Sequence, residues 1–379
     1  MVRSYLAVAG VTVATLGLSL LANCGGSTTS TGTTGSGGGA AGTHAEPPAP
    51  PAMTPGDGAT SVTFAISKLY LGDTDPNGTP DKTNGWKNYG YDLDGKISTA
   101  ASTDLCQVRD NASPKNVYPD GNDGIDNSFG KLILPIILGI SSTAPTAIND
   151  SITTGKFTVM LDMLKLGTGT NYNPLTTNLY AGGDLGSDPK FDGTDMWPVL
   201  PSLLNDPTSI AGGSKVSFAS SYVTNNTWVS GSKGNVLLAL TISGFTLNLE
   251  IANAVITLQL DPTHKHGTSG VIAGVLQTEA LTTQLQMVAG SFDPTLCSGP
   301  TIESIISQIT QASDILQDGT QDPTKPCDGI SIGLGFDAEL VELGPIAPPP
   351  TAKANPCGTG GGGAGGGTTG VDAGASDGG

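Results

Sequence analysis

Positive charge is scarce in this chain. It has 16 Lys and Arg, with arginine only at Arg3 and Arg109, against 33 Asp and Glu, for a formal net charge of −17. Nucleic-acid binders carry basic faces, so this balance excludes a nucleic-acid partner. It also argues against adhesion to anionic headgroups through protein charge. Glutamate is rare as well, at six residues, so the acidity rests on aspartate. Charged residues make up 13% of the chain, a neutral-polar, acidic habit common in exported bacterial proteins. Histidine is limited to His44, His264 and His266. His264 and His266 could place two imidazoles on one side of a strand end, but HGTSGVIAG lacks the glutamate a cupin-type metal site needs, and an exposed loop after Asp261-Pro262 is expected.

What the chain has in excess is glycine, 55 residues of it, much of it at the two ends. Residues 25–58 are Ser, Thr, Gly, Ala and Pro with almost no large apolar side chain. Residues 347–379 run from APPPTAKANPC into a Gly-rich tail. Neither can bury enough surface to offset chain entropy, so both are expected to be disordered, the first as a tether. The N-terminus has Arg3, then an apolar run from Leu6 to Ala22 that is short for a spanning helix, then Asn23-Cys24. It resembles a bacterial lipoprotein signal peptide over residues 1–23, with Asn23 in place of the usual small residue. That resemblance implies lipidation of Cys24 and, with Gly25 following, an outer-membrane destination.

The foldable body is 59–346. Period-two alternation recurs in SVTFAISKLYL, KFTVMLDMLKL, GNVLLALTISGF, FTLNLEIANAVITLQL and most cleanly over residues 328–340, with shorter candidates SKVSFASSYV and NTWVSG. Such patterns, separated by Gly, Asn and Asp turns, predict a mainly β domain: an antiparallel β-sandwich or barrel-like sheet. A few short helices are expected over 301–316, where Ile302, Ile305, Ile306, Ile309 and Ile315 share a face, and over 278–290, 148–155 and 126–139.

The stretch 69–131 is dense in aspartate and turn residues. Its sharpest pattern is Asp73-Thr-Asp75-Pro-Asn77-Gly78-Thr79-Pro-Asp81. An EF-hand-type loop wants oxygen side chains at positions 1, 3, 5 and 9, a glycine at 6 and a backbone carbonyl at 7. Asp73, Asp75, Asn77, Gly78, Thr79 and Asp81 fill those places, while Asn84 stands where the bidentate glutamate belongs. With a strand upstream, the loop resembles those of dockerins and thrombospondin type-3 repeats, which implies calcium. Asp92-Leu93-Asp94-Gly95 and the trio Asp120, Asp123 and Asp126 are expected to form turns and a helix cap, with a further cation site as the alternative. Trp86, Tyr89 and Tyr91 are expected to pack beneath the loop rather than stack on a sugar.

With Cys24 lipidated, four cysteines remain. An even number in an exported chain favours disulfides, with three connectivities open. Cys297 and Cys327 bracket the Ile-rich helix and are the expected pair, which leaves Cys106 with Cys357. The spacings fit neither a zinc ribbon nor a redox CxxC. Gly329-Ile330-Ser331-Ile332-Gly333 matches a serine-hydrolase elbow in letters only, since Ser331 lies inside an alternating strand and no histidine follows.

The runs LYLGDTDPNGTPDKTNGWKNYGYDLDGKIST, VYPDGNDGIDNSFG and CDGISIGLGFDA resemble exported lipoproteins of myxobacteria and related soil bacteria, a group that brings no activity with it. The expectation is a membrane-anchored lipoprotein with a calcium-stabilised β-rich module that binds a glycan or envelope protein or serves as an envelope component. The alternative is a secreted hydrolase acting on polysaccharide or peptide through Asp carboxylates.

Overall fold

The alternating strands close on themselves. In the computed structural model, which describes residues 43–242, 245–348 and 357, the strands are, in chain order, β1 (Val62–Tyr70), β2 (Thr158–Leu164), β3 (Tyr172–Gly182), β4 (Met196–Val199), β5 (Leu204–Asp206), β6 (Ser209–Ser214), β7 (Ser217–Thr224), β8 (Thr227–Val229), β9 (Gly234–Ile242), β10 (Phe245–Leu260), β11 (His266–Gln277) and β12 (Gly329–Ile346). The helices are α1 (Pro114–Val117), α2 (Leu134–Ile140), α3 (Ala144–Thr153), α4 (Thr278–Phe292) and α5 (Pro300–Gln311). The signal segment and Cys24 lie outside the described residues.

Eight strands pair antiparallel in the cycle β1-β2-β3-β7-β8-β10-β11-β12, and β12 returns to β1 with Phe64 opposite Leu340. This is an up-and-down barrel. Closure leaves the sheet no open edge over the paired stretch. The inward positions are those the alternation marks: Phe64, Leu161, Leu179, Trp228, Ile256 and Phe336 meet in one core. Each such side chain stabilises the fold by about 1.5–3 kcal/mol on burial. Trp228 Nε1 is satisfied inside the barrel by Thr177 Oγ1 at 3.0 Å.

Four excursions decorate the wall, the shortest being β9, which lies between β8 and β10 and pairs with the first part of β10. Between β3 and β7, β4 runs parallel to the C-terminal part of β12, and the two cover the outward residues Ala65, Met160 and Tyr180 around a buried Trp197. Between β11 and β12 come α4 and α5. Gly299, at φ 97°, sets the start of α5 with Pro300 in its first turn, so the helix begins there and not at Thr301. Between β1 and β2 runs the aspartate-rich stretch, followed by a π turn at Phe129–Ile133 that leads into α2 and then α3.

Recurrent Asp-Pro-Thr and Asp-Gly-Thr triplets make the tight turns. At Asp206, Asp261 and Asp322 one carboxylate oxygen accepts both the N–H and the hydroxyl of the threonine two residues on.

Two expectations need correction. The disulfides are Cys106–Cys327 and Cys297–Cys357, with Cα separations of 5.1 and 5.0 Å, not Cys297–Cys327 and Cys106–Cys357. The reason is the path of the acidic stretch. Gln107 N–H donates to the Lys325 carbonyl (2.8 Å) and Cys327 N–H to the Gln107 carbonyl (2.9 Å), which lays Cys106 beside Cys327. Cys297, in the link between α4 and α5, is then left for Cys357. Two disulfides fit an oxidising, extracytoplasmic compartment.

The second correction concerns residues 43–58, which composition assigns to a disordered tether. They form an extended strap. Ala45 N–H donates to the Asp123 carbonyl and its own carbonyl accepts from Asp92, Tyr222 hydroxyl donates to the Pro48 carbonyl at 2.6 Å, and Thr54 exchanges hydrogen bonds with Asn173. Composition measures what a segment can bury, whereas this strap is held through its backbone.

Candidate metal centre

The site grows from a contrast within Tyr91-Asp92-Leu93-Asp94. The alternate residues Tyr91 and Leu93 face the barrel wall: Tyr91 hydroxyl meets Thr257 Oγ1 at 2.7 Å, and Leu93 packs with Ala273, Val275 and Ile315. Gly95, at φ 75°, turns the chain back. That turn lets Asp92 Oδ1 accept from the Gly95 and Lys96 N–H groups at 2.7 and 3.0 Å, and Asp94 Oδ1 accept from Lys96 at 2.8 Å.

A second segment brings the third carboxylate. Asp126 N–H donates to the Tyr91 carbonyl at 3.0 Å, and its Oδ2 accepts from the Leu93 N–H at 2.7 Å. One carboxylate oxygen each of Asp92, Asp94 and Asp126 then lie within 4.8 Å of one another. The Asp92 side chain is 1% exposed and Asp126 is 3% exposed. Asp120 joins from the same segment, its carboxylate held by the Ser98 N–H.

Asn127, next to Asp126, docks the whole segment. β1 ends at Tyr70, opposite Gly335, so the first residues of β12 have no strand on that side. The Asn127 side chain takes that place. Its Oδ1 accepts from Gly333 N–H (3.0 Å) and Gly130 N–H (2.9 Å), and its Nδ2 reaches the carbonyls of Gly333, Tyr89 and Trp86 at 2.9–3.1 Å. A Cβ on Gly333 would stand 2.1 Å from the Tyr89 carbonyl oxygen, so only glycine permits this approach. Asp314 continues the same edge, accepting from Ser331 N–H at 2.9 Å and from its hydroxyl at 2.5 Å.

The electrostatics are lopsided. Burial, reinforced by the neighbouring carboxylates, pushes the Asp126 carboxyl well above its ordinary range and raises Asp94. The same causes raise Asp120 to about 8. Burial raises Asp314 to about 6, against the pull of its hydrogen bonds from Ser331. The basic groups placed nearby are Lys96, whose ammonium pairs with Asp104 and pulls on Asp94, His44, whose imidazole from the strap meets Asp92, and Lys131. Burial lowers Lys131 to about 8, and its Nζ is committed to the Val117 and Pro119 carbonyls at 3.1 and 2.7 Å. Buried Ser98 contributes a hydroxyl oxygen with no hydrogen-bond partner, on the residue whose N–H meets Asp120. The three converging carboxylates form an oxygen-only donor set, the kind hard divalent cations take and zinc does not need.

The loop favoured by local spacing is built differently. Asp75 Oδ1 accepts from the N–H groups of Asn77 and Thr79 at 2.9 and 2.8 Å, and Asp81 Oδ1 from Thr83 and Asn84 at 3.2 and 2.9 Å. Thr74 and Pro80 pair as a bridge, so the loop is a small hairpin of Asx turns. The Thr79 N–H holds the Asp75 carboxyl below its usual range. Among the described residues, the group of acidic or thiol and imidazole ligands that converges is Asp92, Asp94 and Asp126, not Asp73, Asp75 and Asp81. Asn77 and Thr79 meet Asp75 through their backbone N–H groups. Trp86 and Tyr89 are buried beneath this hairpin, as expected, with Tyr89 hydroxyl donating to the Asp75 carbonyl at 2.7 Å.

The remaining candidates separate. Asp123, at φ 52°, faces the strap and not the cluster. Ser331 is fully buried against Asp314 and Ser128. His264, expected in an exposed loop, is buried at 3% exposure and meets the Gly167 carbonyl at 2.6 Å, while His266 pairs with Glu339 at 2.5 Å, so the two imidazoles share no partner. Sequence reasoning missed Ser98, Asp314 and His44. One signal existed: Asp92, Asp94, Gly95 and Ser98 occupy positions 3, 5, 6 and 9 of the same calcium-loop pattern, with Gly90 at position 1. Comparison with protein-family models, with curated proteins and with solved structures finds no match to this chain.

Proposed function

We propose that the chain is an exported lipoprotein, anchored through Cys24 at the outer membrane, whose barrel is a binding or structural module stabilised by calcium at the Asp92–Asp94–Asp126 cluster. The observation that carries the calcium reading is the convergence of three carboxylates, on one buried and two half-buried residues, from two chain segments. Like charges this close repel strongly where water is excluded, and a divalent cation converts that repulsion into a cross-link between the segments. Asp120 and Ser98 supply further oxygens toward the six to eight calcium takes, and an exported protein meets calcium in abundance.

The test is thermal unfolding of the disulfide-intact chain, titrated with calcium, magnesium or chelator. A cation that binds only the folded state adds about 2.7 kcal/mol at a hundredfold excess over its Kd. Calcium is expected to raise Tm in the natural chain and in Asp75→Asn, but not in Asp126→Asn. An unchanged Tm with calcium and with chelator, or loss of the effect in Asp75→Asn alone, would sink this assignment. Cys24→Ala is expected to release the protein from the membrane fraction.

A further inference from the structure

The barrel has a second feature far from the aspartates. At the end where β2 begins and β3 finishes, a cavity of about 820 Å³ opens over the core. It lies within the roughly 300–1,000 Å³ of small-molecule pockets, and barrel mouths are one of their preferred places. Its floor is the inward face of the barrel: Val159, Leu179 and Ala181 carry on the row that holds Leu161 deeper in. One wall is the β9–β10 hairpin through Leu237, and the other is the outer flap through Leu200 and Ile346. Below it Phe64, Trp228 and Phe336 fill the interior, so an occupant rests on a packed floor and cannot thread the barrel.

The rim differs in chemistry from the floor. Lys156 Nζ stands at the rim, 3.1 Å from Asp184, with its side chain 57% exposed. Lys215 Nζ donates at 3.0 Å to the carbonyl of Ser202, another rim residue. The charged residues that line the mouth are Lys156 and Asp184, with Lys215 just outside them, so an anionic head can take the exposed Lys156 ammonium in exchange for Asp184.

We infer that the barrel mouth binds a single-chain anionic amphiphile, its hydrocarbon tail on Val159, Leu179 and Ala181 and its acidic head at Lys156. Burying the tail supplies about 25 cal/mol per Å² of apolar surface. The head-group charge gives orientation and selects against cationic amphiphiles. The site shares no residue with the aspartate cluster, so this inference stands or falls apart from the calcium reading.

The experiment is a fluorescence titration of the full chain carrying Cys24→Ala with cis-parinaric acid, followed by displacement with palmitate, with hexadecyltrimethylammonium and with phosphatidylglycerol vesicles. Expected is saturable one-to-one binding, displaced by palmitate and at least tenfold less well by the cationic amphiphile. Vesicles that displace the probe as efficiently as palmitate would reassign the ligand to a membrane lipid and overturn the single-chain assignment. Ala181→Trp fills the floor and is expected to abolish binding, and Leu200→Trp, at the rim, serves the same end should the first fail to fold. Lys156→Glu should weaken palmitate by about tenfold, which is 1.4 kcal/mol, without changing stoichiometry. Absence of saturable binding, or equal binding by the natural chain and a folded tryptophan variant, overturns the proposal.

Discussion

Asn127 shows how much one side chain can hold here. Its amide lies within hydrogen-bond distance of five backbone groups on three segments, two N–H donors being shared among three carbonyls, and it is 2% exposed. Removing it leaves several buried donors and acceptors without partners, at about 1–3 kcal/mol for each one stranded. Asn127→Ala is therefore expected to lose at least about 3 kcal/mol in chemical denaturation. Asn127→Asp keeps the shape and the acceptor but adds charge beside Asp126, so it should not rescue. If Asn127→Asp unfolds at the denaturant concentration of the natural chain, the amide is not the dock. Asn127 was not legible as important in the sequence, and Asp126 stood there as a helix cap, with a cation site only as the alternative. A turn-rich run of Asp, Asn and Gly offers many local hydrogen-bonding schemes, and which carboxylate leaves its own loop depends on a partner segment some 30 residues away. Spacing rules detect self-contained loops, which is why they favour Asp73–Asp81, where Asp75 and Asp81 accept from nearby backbone N–H groups.

At the scale of elements, the strands that read clearly are those whose inward positions are all apolar. β2 and β12 are such strands. β3 and β11 escape for a physical reason. β3 places Thr177 inward to hold Trp228 and Ser221, and β11 places Gly270 and Gly274 inward, where the Phe336 ring and the Ile251 side chain fill the space. Their inner faces are therefore not hydrophobic rows, although they are packed as tightly. Alternation left sandwich and barrel-like sheet both open, because it marks a face and never a partner, and β1 finds β12 across most of the chain. The Cys106–Cys327 bridge belongs to this scale, tying the acidic stretch to the start of β12. Gln321 links it to the cluster: it accepts from Cys106 N–H at 2.8 Å and donates to Asp94 Oδ2 at 2.7 Å. Replacing both cysteines by serine is expected to cost about 2–5 kcal/mol and to weaken calcium as well. Replacing Cys297 and Cys357 should leave the calcium response intact. Equal calcium affinity in the two double variants, measured by calorimetry, would dissociate the bridge from the site.

Across the whole molecule, two populations of aspartate pull stability in opposite directions with pH. In the Asx turns, side-chain and backbone hydrogen bonds from Thr208 and Thr324 lower Asp206 and Asp322. Such groups contribute stability above their unfolded pKa of about 3.9, and it is lost as pH falls below that value. In the cluster, burial raises the folded values of Asp94, Asp126, Asp314 (about 6) and Asp120 (about 8). Here the folded chain holds protons that the unfolded chain releases. The cluster's contribution is complete below pH of about 4 and is lost as pH rises through the folded values. With chelator in excess, Tm is thus expected to fall between pH 5 and pH 8.5, a window set by about 6 for Asp314 and about 8 for Asp120. Calcium competes with those protons and favours the ionised carboxylates, so the increment it adds to Tm should grow across the same window and flatten the profile. Asp126→Asn removes one charge and should flatten the chelator profile in part while abolishing the calcium increment. A chelated Tm that rises from pH 5 to pH 8.5, or a calcium increment independent of pH, would show that these carboxylates do not carry the coupling between charge, cation and fold.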